Sequence, residues 1–208
     1  MSANTYKELL REIEEYCHAL KRVPPRLIAV SKFEPLEALQ VLYEAGCRDF
    51  AESRVQEALL KKAALPTDIR WHLIGHLQSN KVNKAVGAFS LIHSVHNHEL
   101  LAQIASKKLH QPVLLQVNTS GESSKQGLTV TEWEKYPYPE GVVVRGLSTI
   151  APSTPDTTEI RSCFKKLKEA ANNAGLPELS MGMSNDWKIA LEEGATFLRI
   201  GRHLFNKI

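Results

Sequence analysis

A chain of 208 residues, 43% hydrophobic and 24% charged, has the length and apolar fraction of one soluble globular domain with a substantial core. Its 26 basic and 23 acidic residues leave a formal charge of +3 and form no block of like charge, which argues against a nucleic acid partner. Cys17, Cys47 and Cys163 are odd in number and far apart, so they point to neither a disulfide framework nor a thiolate zinc site.

The amino terminus has no apolar signal core and no stretch has the apolar length of a bilayer span, so a cytoplasmic protein without membrane contact is expected. Leu9, Leu10, Ile13, Tyr16, Cys17 and Leu20 share one stripe, which predicts an amphipathic helix ended by Val23-Pro24-Pro25. From there, short apolar runs alternate with longer amphipathic segments. The runs Leu27–Ser31, Asp49–Ala51, Arg70–Ile74, Leu91–Val95, Val113–Asn118, Val142–Leu147, Glu178–Met181 and Thr196–Ile200 read as eight strands.

Between them, Pro35–Ala45 is predicted to stop at Gly46, and Ser53–Ala64 opens with a Ser-x-x-Gln capping box. Asn97 caps a helix reaching Leu109, Asp156–Ala174 stops at Gly175, and Ser184–Glu193 stops at Gly194. The prolines of Thr131–Gly141 confine any helix there to its first few residues. Eight strands with helical crossovers in this length predict a single α/β domain over residues 1–208: a (β/α)8 TIM-type barrel with an extra N-terminal helix, ahead of a doubly wound open sheet.

Barrels of this kind work at the carboxyl ends of their strands. There this sequence places Lys32 after the first strand, Glu52 and Ser53 after the second, and Ser148 and Thr149 after the sixth. The seventh is followed by Met181-Gly182-Met183-Ser184, and the eighth contains Arg199 ahead of Gly201-Arg202-His203. A lysine at a strand end ordinarily reaches to solvent, and Ser184 by itself reads equally well as a helix cap or an anion ligand.

Ser184, Gly201 and the amides of Arg202 and His203 read together as a phosphate cradle at the seventh and eighth strands. Arg199, inside an apolar strand, needs a partner; Glu52, a ring nitrogen and a phosphate oxygen are the candidates. The eight histidines lack the helical H-E-x-x-H setting, so hydrogen-bonded structural roles are expected and no metal. Lysine, arginine and cradle around one mouth suit a phosphorylated aldehyde held as a Schiff base, the demands of pyridoxal phosphate.

The segments "LIAVSK", "FAESRVQE", "WHLIGHLQSNK", "IHSV", "LLQVNTSGESSKQGL", "GLSTIAP", "LSMGMSND" and "LRIGRHLF" fall in the order and spacing of one family. On these residues the chain resembles the pyridoxal phosphate homeostasis proteins from about Leu27 to Phe205. The resemblance implies a fold-type III barrel similar to the N-terminal domain of alanine racemase, with pyridoxal 5'-phosphate on Lys32. It implies Arg199 at the pyridine nitrogen and Ser184 and Gly201 toward the phosphate. It further implies Asn118, Met181 and Met183 near the ring, with His72, Ser148 and Thr149 lining the mouth.

The same resemblance implies a cofactor-binding regulator of vitamin B6 and amino-acid balance with no established catalysis; a monomer that passes pyridoxal phosphate to dependent apo-enzymes is the leading expectation. An arginine at the pyridine nitrogen weakens the ring as an electron sink, and the chain is expected to lack the second domain that gives racemases their opposing base. An amino-acid racemase-like enzyme and a phosphate-binding barrel without the cofactor are the alternatives. Two positions depart from the family pattern: Ser53 stands where Asn is usual, and Arg202 where Ser or Thr is usual.

Overall fold

The computed structural model describes residues 3–122, 126–134 and 137–205. Strands β1 (Arg26–Val30), β2 (Asp49–Glu52), β3 (Arg70–Leu73), β4 (Leu91–Val95), β5 (Gln111–Gln116), β6 (Val142–Ser148), β7 (Glu178–Ser180) and β8 (Phe197–Ile200) pair in parallel in sequence order. The last returns to the first, with Leu27 opposite Leu198 and Ile28 opposite Arg199, and so closes a barrel. The open sheet is thereby excluded.

Around the barrel lie α1 (Ala3–Ala19), α2 (Leu36–Glu44), α3 (Val55–Ala64), α4 (Val82–Ala85), α5 (His98–Ala105), α6 (Val130–Glu134), α7 (Thr157–Asn173), α8 (Trp187–Glu192) and α9 (Arg202–Phe205). The apolar runs within the strands reflect burial of both of their faces. Outward residues such as Phe50, Trp71, Leu73, Ile92, Leu115 and Leu198 join the helices in one large core. Inward residues Ile28, Ala51, Leu91, Leu114 and Phe197, with Val30 and Ile74, form a second, smaller core inside the barrel.

The helix α1 buries Tyr6, Leu9, Ile13 and Cys17 at helical spacing and packs against α2 and α9. It lies beside the gap left by the four-residue α9, and Leu9 and Ile13 each contribute about 1.5–3 kcal/mol to that docking. Gly146 is required by close approach: a Cβ there would stand 1.9 Å from the Glu178 carbonyl oxygen on the neighbouring strand.

Several local expectations change. The Ser53 capping box does not form, because α3 starts at Val55 after Arg54, one residue too late for the Ser53 hydroxyl, and Arg54 bonds Glu57 instead. Nor does Ser184 cap α8: a turn spans Ser184 to Asp186, and the Asp186 carboxylate accepts the Met183 amide. Asn97 caps its helix as expected, accepting from Leu100 at 2.8 Å, but that helix ends at Ala105. The segment after β5 and the one after α6 are described in part, since residues 123–125 and 135–136 lie outside the described residues, as do residues 206–208.

Candidate functional site

Alternation along β1 sends Ile28 and Val30 into the barrel interior, and the amide of Ser31 still bonds the Ala51 carbonyl at 2.9 Å. Lys32 follows in the turn just beyond the carboxyl end of the strand, where it is exposed, and the chain turns back at once through Glu34 N–H to Ser31 O at 3.0 Å. The next residue, Phe33, is exposed with φ of +67°, and its ring centre lies 5.9 Å from the Lys32 Nζ. A bulky residue in the left-handed region is strained, and such strain gathers at functional sites.

A clamp behind the mouth fixes this turn. The Lys61 ammonium donates to the Ser31 carbonyl at 2.8 Å and to Glu52 at 2.6 Å, and the Ser31 hydroxyl donates to the same carboxylate oxygen at 2.8 Å. Glu52 is therefore not the partner of Arg199. Ala51 points into the barrel, so its neighbour Glu52 must face the helical layer, where it is fully buried against Lys61.

Arg199 lies on the inner face of β8 and is 7% exposed. Its Nη1 donates to the Ser180 carbonyl at 2.7 Å and to the Ser180 hydroxyl at 2.5 Å, and its Nη2 to the Thr149 carbonyl at 2.8 Å. All three acceptors are neutral, and of the five guanidinium N–H groups one on Nη2 and the one on Nε have no acceptor among the described residues. Burial lowers its pKa to about 10, against the opposing field of Asp186, so it remains a cation at neutral pH.

The turn after β7 abuts the end of β8 through the Arg199 amide, which bonds the Gly182 carbonyl at 3.0 Å. Gly182 has φ of +94°, and a Cβ there would meet Ala190 at 2.6 Å and Leu198 at 2.7 Å. This fixes the following Ser184, half-buried, on the same side of the mouth as Gly201. A Cβ on Gly201 would stand 3.3 Å from the Val30 carbonyl, so that turn lies against the strand leading to Lys32. Arg202 and His203 open α9, where first-turn amides have no intrahelical acceptor.

The remaining predicted residues fall elsewhere. His72 does not line the mouth: it is buried inside the barrel, bonded to Asp49 at the amino end of β2, because β3 turns it inward two residues from its start. Met181 is fully buried in the outer core, and Met183 is half-buried. Asn118 directs its amide nitrogen to the Glu122 carbonyl and its oxygen to the Gly121 amide, ordering its own loop. Ser148 donates to the His93 carbonyl, and Thr149 bonds the Val117 carbonyl and the Thr119 hydroxyl, so both knit strand ends together.

Ser53 opens on a cleft of about 370 Å³ beside β2 and β3 that also takes in Arg54, Gly75, His76, Gln78 and Lys81. Among the described residues no group of three His, Cys, Asp or Glu side chains is placed to hold a metal. Sequence reasoning missed Lys61, Asp49, His93 and Ser180 as neighbours of the site. For the last three, inward alternation on β2, β4 and β7 was the available signal.

A domain family described as alanine racemase, N-terminal domain, matches residues 7–206, so the barrel is of that class. A pyridoxal phosphate homeostasis protein of Aquifex aeolicus is 38% identical over 96% of this chain and 95% of its own length. One of Synechocystis is 40% identical over 91% and 95%. Among solved structures, PipY of Synechococcus elongatus with PLP bound superposes with a TM-score of 0.78 at 38% identity, covering 93% of this chain and all of that one. The chain belongs to the pyridoxal phosphate homeostasis protein family.

Proposed function

We propose that this protein binds pyridoxal 5'-phosphate as a Schiff base on Lys32 and serves to hold the cofactor for vitamin B6 balance rather than to catalyse. The observation that carries this reading is Arg199: a buried cation whose acceptors among the described residues are all neutral, with two N–H groups left for a ligand. Such a group suits a ring nitrogen that accepts. Lys32 stands four residues beyond Ile28, the strand partner of Arg199, at most roughly 13 Å along the chain at the usual rise and less along the axis, because barrel strands tilt. Two long side chains with a ring between them fill that distance.

When bound, the cofactor supplies an aldehyde that a lysine can capture and a ring that draws electrons. The chain's own groups then divide the work. Lys32 gives the amine, the Ser31 clamp holds its backbone, and Ser184 with the Gly201-Arg202 turn offers donors to the phosphate. Arg202 in place of a hydroxyl residue exchanges one hydrogen bond for charge. Arg199, a cation of pKa about 10, keeps the ring nitrogen unprotonated, which weakens electron withdrawal and supports a carrier over a racemase.

Cytoplasmic residence, a monomeric state and delivery to pyridoxal phosphate-dependent apo-enzymes complete the reading. Among the described residues no helix is long and apolar enough to cross a membrane.

The test is a visible spectrum with added cofactor, then borohydride reduction and peptide mapping. One adduct on the Lys32 peptide is expected, absent in a folded Lys32→Ala variant; adducts scattered over surface lysines defeat the reading. Exchange of an amino acid's α-proton in deuterated buffer would favour the racemase instead.

A further inference from the structure

The interior of the barrel holds an unbroken polar chain that the mouth alone does not explain. His72 Nε2 lies 3.0 Å from Asp49 Oδ1, His72 Nδ1 lies 3.0 Å from His93 Nε2, and His93 Nδ1 lies 2.8 Å from the Ser180 hydroxyl. That hydroxyl accepts from Arg199. The chain runs from the amino end of β2 through β3, β4 and β7 to β8, with both imidazoles at most 2% exposed. The Phe197 ring packs on both, with centroids 6.2 Å from His72 and 5.5 Å from His93, closing off one side.

Its direction follows from one end. Asp49 also accepts from Arg70 at 2.8 and 2.6 Å, and a carboxylate so paired can only accept. His72 must therefore carry its proton on Nε2. A neutral imidazole then has a bare Nδ1, which obliges His93 to donate from Nε2 and to accept at Nδ1. Ser180 in turn must donate to His93, and its oxygen is left to receive Arg199.

Burial keeps both rings neutral. Arg26, Arg70 and Asp49 face His72, while His72 and Arg199 face His93; burial lowers both histidines, with Asp49 opposing at His72 only. We infer that Asp49, His72 and His93 are positioning residues, which act through Ser180 to hold Arg199 in the orientation its ligand meets at the mouth. The inference rests on the cofactor reading above for the identity of that ligand.

Two measurements separate the inference from that reading. In ligand-free protein labelled with nitrogen-15 at histidine, long-range proton–nitrogen spectra should show His72 and His93 neutral and protonated on Nε2 at pH 7 and above. A proton on Nδ1, or titration of either ring near pH 6.5, overturns the relay whatever the cofactor does. Asp49→Asn should disturb the His93 signals across the intervening ring; unchanged signals would also overturn it.

In loaded protein, His93→Leu breaks the chain, whereas His93→Gln keeps one acceptor and one donor. His93→Leu should release pyridoxal phosphate at least tenfold faster and shift its visible band, and His93→Gln should stay within twofold of the parent on both. A folded His93→Leu variant with the parent's release rate and band overturns the positioning role. If the parent forms no Lys32 adduct at all, the cofactor reading fails, and the ligand-free tautomers alone decide the relay.

Discussion

Lys32, the residue proposed to capture the cofactor, is exposed, and its placement is the work of neighbours that are not. Glu52 is fully buried and Lys61 is 13% exposed, so their ion pair survives only as a pair. Removing one partner from such a pair strands a charge at a cost of about 3–5 kcal/mol. Lys61→Met should therefore lower the unfolding free energy in urea by about 3 kcal/mol and slow adduct formation at Lys32. Adding Glu52→Gln to it should restore much of the stability, because the stranded charge is gone. A single variant as stable as the parent would show that the clamp is dispensable.

At the scale of elements, the helix starts separate sequence signals that work from those that are displaced. The Asp156 carboxylate accepts from Thr158 at 2.8 Å and caps the 17-residue α7, so Asp156→Ala should cost about 1 kcal/mol. Ser53 offers the better motif on paper but caps nothing, and Ser53→Ala should cost less than about 0.5 kcal/mol. Thermal unfolding of the two variants side by side checks the contrast. The capping box was legible as a pattern; what was not legible was where β2 ends, since Glu52 stays in the strand and delays the helix by a residue. At Ser184 the same thing happens through Asp186, whose carboxylate takes the Met183 amide first.

Across the whole molecule, the buried polar chain ties stability to pH. Burial holds His72 and His93 below the ordinary 6.5, so their contribution is fully present above pH 6.5 and is lost as pH falls below it. Burial alone would raise Asp49, but the bonds from Arg70 and His72 outweigh it and hold the carboxyl at about 2. Its contribution is present above about pH 4 and is lost as pH falls through 2. Urea denaturation from pH 8 to pH 3 should therefore show stability falling on acidification, first below pH 6.5 and again below pH 4. His93→Gln should flatten the first step. A stability constant from pH 7 to pH 5 would contradict neutral burial of the two rings.

The sequence by itself determined the barrel, the eight strands and the order of polar groups at their carboxyl ends. Local patterns carry that information: apolar runs buried on both faces, and glycine where the chain turns or strands crowd, as at Gly182 and Gly146. Only the tertiary structure decided which groups meet. Arg199 and Glu52 looked like partners because both are charges near strand ends, yet they face opposite sides of the sheet and pair elsewhere. His72, assigned to the mouth by resemblance, lies inside beside Asp49. Closing eight strands into a ring sets which inward side chains share the axis. That depends on the register and stagger between strands distant in sequence, a quantity no single strand's pattern contains.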